Sequence, residues 1–104
     1  MLSNVTIDNN PFSPNGDGIK DLATFNYTLT DFAHVNLDIY DLSGRVVRRI
    51  DGGDKSPGTF SDLQWDEIDA SGHRVRNGLF IYKLRAKNPD NTQDSLTSLI
   101  EVLK

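Results

Sequence analysis

The chain has 104 residues, 37% of them hydrophobic and 25% charged, which is typical of one folded domain. Its formal net charge of −4 argues against binding to nucleic acid or to an anionic membrane surface, because both need a basic patch. The absence of cysteine excludes disulfides, thiolate metal sites and cysteine nucleophiles. No apolar run reaches the ~18 residues of a membrane-spanning helix, so we expect no direct insertion into a membrane.

Short segments in which apolar and polar residues alternate follow one another along the chain. This period of 2 is typical of half-buried strands, and no segment shows a convincing helical period. The predicted strands are 5–7, 23–29, 34–40, 45–50, 62–65, 79–86 and 96–102. Segments 9–21 and 51–61, rich in Gly, Pro, Asp and Ser or Asn, are predicted to be loops. Seven short strands predict an all-β fold, an antiparallel β-sandwich of immunoglobulin-like type.

The most hydrophobic run of the chain, 79–84, is predicted to be a central strand with one buried face and one partly covered face. Trp65, just upstream, has the size to fill the core of a small sandwich, and its indole N–H then needs an acceptor. The turn signals at 70–72 and 77–78 predict a hairpin between the two. The predicted core residues share one period-2 register and are Phe25, Tyr27, Leu37, Ile39, Trp65, Phe80, Tyr82 and Ile100.

The loop 13–21 groups the oxygen ligands that calcium prefers. Asn15, Asp17 and Asp21 offer side-chain oxygens, and the carbonyl of Ile19 could add a fourth. These four residues are our candidate calcium ligands, and calcium is the one cofactor considered. The alternative is a turn whose Asn and Asp side chains bond their own backbone.

An EF-hand register fails in this loop, because Thr24 stands where the bidentate glutamate should be. A calcium site would therefore be irregular and would need ligands from another loop, such as Asp66 or Asp69.

Catalysis has little support in the sequence. His34 is predicted on the polar face of a strand and His73 in a turn, and neither has a nucleophile elbow or a metal-ligand spacing beside it. Asp66, Glu67 and Asp69 follow a strand, where carboxylates usually cap and solvate turns. We therefore predict no enzyme.

Several motifs, in order, resemble a known family. Residues 9–12 (Asn-Asn-Pro-Phe) before the Ser-Pro-Asn-Gly-Asp-Gly loop resemble the opening of the C-terminal domains of proteins exported by the type IX secretion system of Bacteroidetes. The run 35–47 is similar to that family's hairpin, an Ile-Tyr-Asp turn ending in Gly. The final run, 99–104, resembles the family's C-terminal signal.

The middle of the chain carries further matching motifs. Trp65-Asp66, Asn77-Gly78 and 80–82 (Phe-Ile-Tyr) are similar to that family and to the related immunoglobulin-like domain of flagellar hook-capping proteins. Glu67 departs from the pattern, because a glycine commonly follows Trp-Asp, and Leu79 stands where Val or Ile is commoner.

The resemblance implies a single domain, 1–104, at the C-terminus of a longer secreted protein. Such domains are folded export signals that the outer-membrane translocon recognises and that a sortase usually removes. The expected partners are therefore the type IX translocon and sortase proteins, and the expected location is the surface of a Gram-negative bacterium or its exterior, reached through the periplasm and outer membrane.

The last strand is the expected handle for this recognition, because a terminal strand can offer an unpaired edge to a receptor. We expect burial of Leu99, Ile100, Val102 and Leu103 to anchor it, with Glu101 and Lys104 on the surface. The candidate recognition residues are Gly78, Phe80, Leu99, Ile100, Glu101, Val102, Leu103 and Lys104.

Two alternative functions share the fold. A calcium- or carbohydrate-binding accessory module would show a row of exposed aromatic residues, for which only Tyr40 and Phe60 are candidates. A structural assembly domain, like that of the hook-capping proteins, would share much of the segment from Trp65 to Tyr82.

Overall fold

The computed structural model describes residues 1–8 and 23–102, and these residues form strands and turns. Within those two ranges no helix is long and apolar enough to span a membrane. The seven strands are β1 (Leu2–Asp8), β2 (Ala23–Leu29), β3 (Ala33–Tyr40), β4 (Val46–Lys55), β5 (Gly58–Trp65), β6 (Gly78–Lys87) and β7 (Gln93–Val102).

The strands form two antiparallel sheets packed face to face. One sheet has the order β1-β2-β5 and the other the order β4-β3-β6-β7. The period-2 pattern produces this arrangement directly, because alternate side chains of β2, β3 and β6 are buried between the sheets. The predicted immunoglobulin-like sandwich is confirmed, and 79–86 lies in a central strand of the larger sheet, as predicted.

Aromatic rings from both sheets fill the core. The ring of Trp65 meets that of Phe80 edge to face, with centroids 5.6 Å apart, and Phe25 meets Tyr82 in the same way at 5.1 Å. The Trp65 indole N–H donates to the carbonyl of Ile68 at 3.1 Å, which satisfies the predicted need for an acceptor. All eight predicted core residues are buried, so that prediction is confirmed.

The predicted hairpin between Trp65 and the central strand is wrong. β5 and β6 lie in opposite sheets, and the segment 66–77 carries the chain from one to the other. This connection packs on β4: the guanidinium of Arg48 donates to the Ile68 carbonyl at 3.0 Å, and the Ala70 N–H donates to the Val47 carbonyl at 2.8 Å. Trp65 and Phe80 therefore meet across the core and not along a ladder.

The predicted loop at 51–61 is also wrong, because β4 continues to Lys55 and β5 begins at Gly58. β4 stays paired with β3 to this end, with Asp54 opposite His34. A Cβ added at Gly52 would lie 3.1 Å from a backbone carbonyl of β3. A glycine here thus permits close approach of two strands, and polar side chains are tolerated because β4 lies at the sheet edge.

One five-residue turn occurs twice, at Asp41–Arg45 and Asp69–His73. In each, the first N–H donates to the fifth carbonyl, at 2.9 and 2.8 Å, and the first carboxylate accepts the N–H groups of the third and fifth residues at 2.9–3.0 Å. The fourth residue is Gly with a φ of 90° or 86°, which a residue with a Cβ rarely adopts. The sequence Asp-x-Ser-Gly therefore specifies the turn through its own side chain.

Glu67 lies in the left-handed region, with a φ of 64°. This backbone conformation explains why a glycine is common at this position in the similar family, because glycine adopts it without steric cost. The Glu67 side chain is buried, and its Oε1 lies 3.5 Å from Nε of Arg74. The ion pair with Arg74 and the burial of the side chain stabilise Glu67 in a backbone conformation that is unfavourable for a residue other than glycine.

Candidate recognition surface

The proposed calcium ligands Asn15, Asp17, Ile19 and Asp21 lie outside the described residues, so the calcium prediction stays a prediction. Among residues 1–8 and 23–102, no group of three or more His, Asp or Glu side chains could hold a metal ion. Asp66, considered above as a further ligand, accepts the N–H of Ile68 two residues on, at 3.2 Å.

The ladder between β6 and β7 brings most of the candidate recognition residues together. Gly78 pairs with Val102, and Phe80 pairs with Ile100. Phe80, Ile100 and Val102 are buried in the core, so they anchor the strand and offer a partner little side-chain surface. Leu103 and Lys104 lie outside the described part of the chain.

Leu99 does not lie where we expected. Its side chain is 49% exposed, so its predicted role as a buried anchor is wrong. Because side chains alternate along a strand, burial of Ile100 and Val102 turns Leu99 to the outer face of the four-stranded sheet. It is paired there with Ile81 of β6.

Four of the described strands, β1, β5, β4 and β7, lie at sheet edges, and three of them pair irregularly. The β1–β2 ladder shifts register between Ser3 and Thr6, the β2–β5 ladder between Phe25 and Tyr27, and the β3–β4 ladder at two points. β7 differs, since ten consecutive pairs run along β6 without a shift. In the ranges that the structure describes, no strand pairs with the other side of β7.

β7 also differs in composition from β4, the other long edge strand. From Ser95 to Ile100 β7 has no charged residue, no Pro and no Gly, whereas β4 has two glycines and several charged side chains. Edge strands usually prevent unwanted pairing by means of charges, bulges and prolines. The middle of β7 lacks all three, and it exposes Leu96 and Leu99. β7 is therefore suited to accept a further strand.

A polar network lies on the outer face of the same sheet, on its two inner strands β3 and β6. Asp38 is only 2% exposed, and its carboxylate accepts hydrogen bonds from Arg85 at 2.8 Å and from the hydroxyl of Tyr40 at 3.2 Å. Burial and the nearby Asp38 carboxylate raise the pKa of Tyr40 above its ordinary value. Asp38 is thus a buried charge with partners, and its burial needs no external ligand.

His34 forms a second polar cluster, at the end of β3. Its Nδ1 lies 2.7 Å from Asp54 and its Nε2 lies 2.7 Å from Asp51. Only the imidazolium can donate from both nitrogens, and the hydrogen bond to Asp54, with the charge of Asp51, raises the pKa of His34. His34 and Asp54 line a cavity of about 580 Å³ with Phe32 and Lys87. The contacts of His34 with both aspartates hold β3 to β4.

Tyr27 makes a polar contact that the sequence pattern did not indicate. Its buried hydroxyl donates to Asp62 at 2.8 Å, and Lys55 forms an ion pair with the same carboxylate. Burial, reinforced by Asp62, raises the pKa of Tyr27 far above its ordinary value. The signal was a tyrosine at a core position, because a buried hydroxyl needs a partner.

The two candidate aromatics for carbohydrate binding lie apart. Tyr40 belongs to β3 of the four-stranded sheet, and Phe60 belongs to β5 of the three-stranded sheet. Phe60 stacks on Tyr27, with centroids 5.5 Å apart. The two rings therefore cannot form one platform for a sugar.

The two-sheet topology defines an immunoglobulin-like module, and its candidate site is the backbone edge of β7. The family model of the FlgD Ig-like domain matches residues 13–90, and the chain therefore belongs to this family. β1 and β7 lie outside the matched range. The family is one of structural β-sandwich modules, and the predicted relation to hook-capping domains is confirmed.

Solved structures support the same fold. FlgD from P. aeruginosa is 26% identical with a TM-score of 0.65, over 79% of this chain and 61% of that one. A structure titled dimeric latent PorU from Porphyromonas gingivalis is 20% identical with a TM-score of 0.72, over 95% and 9% of the two chains. FlgD from Xanthomonas campestris, titled for hook capping, is 20% identical with a TM-score of 0.67, over 96% and 67%.

This chain thus spans less than two thirds of the P. aeruginosa protein and under a tenth of PorU. Comparison with curated protein sequences gives no match.

Proposed function

We propose that this FlgD-type module is the C-terminal secretion and sorting domain of a longer protein that the type IX machinery exports to the cell surface. The observation that carries the proposal is the edge of β7, which pairs regularly with β6, is uncharged from Ser95 to Ile100 and is exposed there at Leu96 and Leu99. The sequence resemblance at 9–18 and 99–104 adds support.

Recognition of this kind needs a surface and no catalytic group. The buried side chains of Ile100 and Val102 hold β7 in the sheet, and among the described strands none pairs with its second edge, where a receptor strand would bind. Main-chain hydrogen bonds would supply the affinity, and side-chain pockets along the edge the specificity. The receptor in this proposal is the translocon, and a sortase then acts on the exported protein.

The second candidate is a structural assembly domain, as family membership favours. An assembly domain would act within a multi-subunit structure and would give a fused reporter no route out of the cell. Export of a reporter therefore discriminates between the two functions.

The test is a reporter with this domain fused to its C-terminus, expressed in a cell with type IX secretion. We expect Leu99→Lys to lower the amount of reporter at the surface, because the new charge lies at the edge where a receptor strand would pair. Leu42→Lys is the matched control, since Leu42 is 63% exposed in a turn. Circular dichroism of both purified domains checks that they are folded.

A folded Leu99→Lys domain that delivers the reporter at the intact level would contradict recognition through β7. Failure of the unmodified domain to export the reporter would favour the assembly function. A domain lacking Leu103 and Lys104 tests in the same assay whether these residues belong to the signal.

A further inference from the structure

An apolar row crosses the outer face of the four-stranded sheet and ends at its open edge. The registers place Val46, Tyr40, Ile81 and Leu99 side by side on β4, β3, β6 and β7. Leu79, which is 41% exposed, lies on the same face next to Ile81 along β6. On β7 itself the residue opposite Leu79 is Glu101, so at the edge the apolar row is represented by Leu99.

The neighbouring row on the same face is polar. Arg49, Asp38, Lys83 and Thr97 occupy the same four strands, one step further along. A strand added beside β7 would continue both rows, because residues opposite each other on paired strands share a face and contact each other. The residue placed opposite Leu99 would extend the apolar row, and its neighbours two positions away on either side would face Thr97 and Glu101.

We propose that the edge of β7 and the row ending at Leu99 bind an extended, uncharged segment of a partner protein, with a β-branched or aromatic side chain opposite Leu99. The inference rests on the proposed function, because it supplies the chemistry of the receptor's strand. A charged side chain opposite Thr97 or Leu99 would fit poorly, since the residues of β7 from Ser95 to Ile100 carry no charge with which to pair directly. The nearest charge on this face is the carboxylate of Glu101, two residues beyond Leu99. An apolar side chain opposite Leu99 would cover surface that is now half exposed to water.

The absence of cysteine allows a direct test with the whole domain. The variant Ser95→Cys carries one thiol on the outer face of β7. It is mixed with short peptides of Thr and Ser, acetylated and amidated at their ends, each of which contains one Cys. Each peptide also contains one test residue, which is Ile, Tyr, Lys or Pro. This residue lies as far from the Cys of the peptide as Leu99 lies from Ser95 in β7. One series has this residue before the Cys and a second has it after, so that antiparallel and parallel pairing are both sampled. The fraction of mixed disulfide at equilibrium in a thiol redox buffer measures pairing.

We expect Ile or Tyr to raise capture about two- to fivefold over Lys, the range of one favourable cross-strand pair, and Pro to abolish the gain. The matched control is Ser61→Cys, an exposed position on β5 within the register shift of that edge. Capture there should not depend on the peptide.

Equal capture of the Ile and Lys peptides at Ser95→Cys would overturn the role of the Leu99 row. If Ser61→Cys captured the peptides with the same preference as Ser95→Cys, the choice of β7 as the binding edge would be overturned. Formation of a disulfide-linked domain dimer in preference to the peptide adduct would make a second copy the occupant and also overturn the inference. Peptide selectivity together with failure of the unmodified domain to export the reporter would instead leave the inference standing and reject the proposed function.

Discussion

Truncation of Phe80 to alanine tests whether the core between the sheets is organised as the structure indicates. Phe80 is 8% exposed, its ring meets Trp65 edge to face at 5.6 Å, and Ile100 lies opposite it on β7. Removal of the ring therefore loses contacts with both sheets and leaves a cavity at the centre of the sandwich. Buried phenylalanine-to-alanine changes cost about 3–5 kcal/mol, against a total stability of about 5–15 kcal/mol for a small domain.

Urea denaturation followed by Trp65 fluorescence measures this loss. With a denaturant slope of about 1.5 kcal/mol per M, Phe80→Ala should lower the unfolding midpoint by about 2–3 M. Phe32→Ala is the control, because Phe32 is 56% exposed and its truncation should change stability by less than about 0.5 kcal/mol. A loss below about 1 kcal/mol for Phe80→Ala would refute the central position of this ring.

Three further predictions follow from individual contacts. Because the pKa of His34 is raised in the folded state, its contribution to stability is complete below the unfolded pKa of about 6.5 and is lost as the pH rises through the folded pKa. His34→Gln should remove this part of the pH dependence of stability in urea titrations, and an unchanged pH profile would disprove it. Asp62→Ala should cost about 1–3 kcal/mol by stranding the Tyr27 hydroxyl, and it should cost much less in a Tyr27→Phe background; equal costs would show that the hydrogen bond is unimportant. If the loop binds calcium, calorimetry should detect binding to the wild type and weaker binding to Asp17→Ala, whereas no heat and no shift in melting temperature would eliminate the metal site.

The sequence predicted the strands whose residues alternate between core and solvent, and it missed the part of a strand where they do not. β2 and β6 bury every second residue, so their pattern is unambiguous. The end of β4, from Asp51 to Lys55, lies at an edge and next to a register shift. Its polar and glycine residues resemble a loop because both environments are exposed to water.

Pairing between strands was harder to predict than the strands themselves. Trp65 and Phe80 are close in sequence and separated by turn signals, which suggested a hairpin, but both rings are core residues of opposite sheets. Contacts such as Tyr27 with Asp62 depend on a register that includes a bulge, and a single sequence does not specify bulges. The edge position of the last strand was predicted correctly, because terminal strands have fewer neighbours along the chain.

The start of β1 contacts the start of β7, and this contact determines where a protein attached to the N-terminus would leave the domain. The N–H of Leu2 donates to a carboxylate oxygen of Asp94 at 3.1 Å, so Leu2 lies next to the beginning of β7. Val102 lies about 25–30 Å away, at the far end of that strand, in a molecule 41 Å long. A cargo joined ahead of Met1 would therefore leave from one pole of the domain, while the Gly78–Val102 end faces away from it. In the proposed export function, even a bulky passenger would leave that far pole accessible to the receptor.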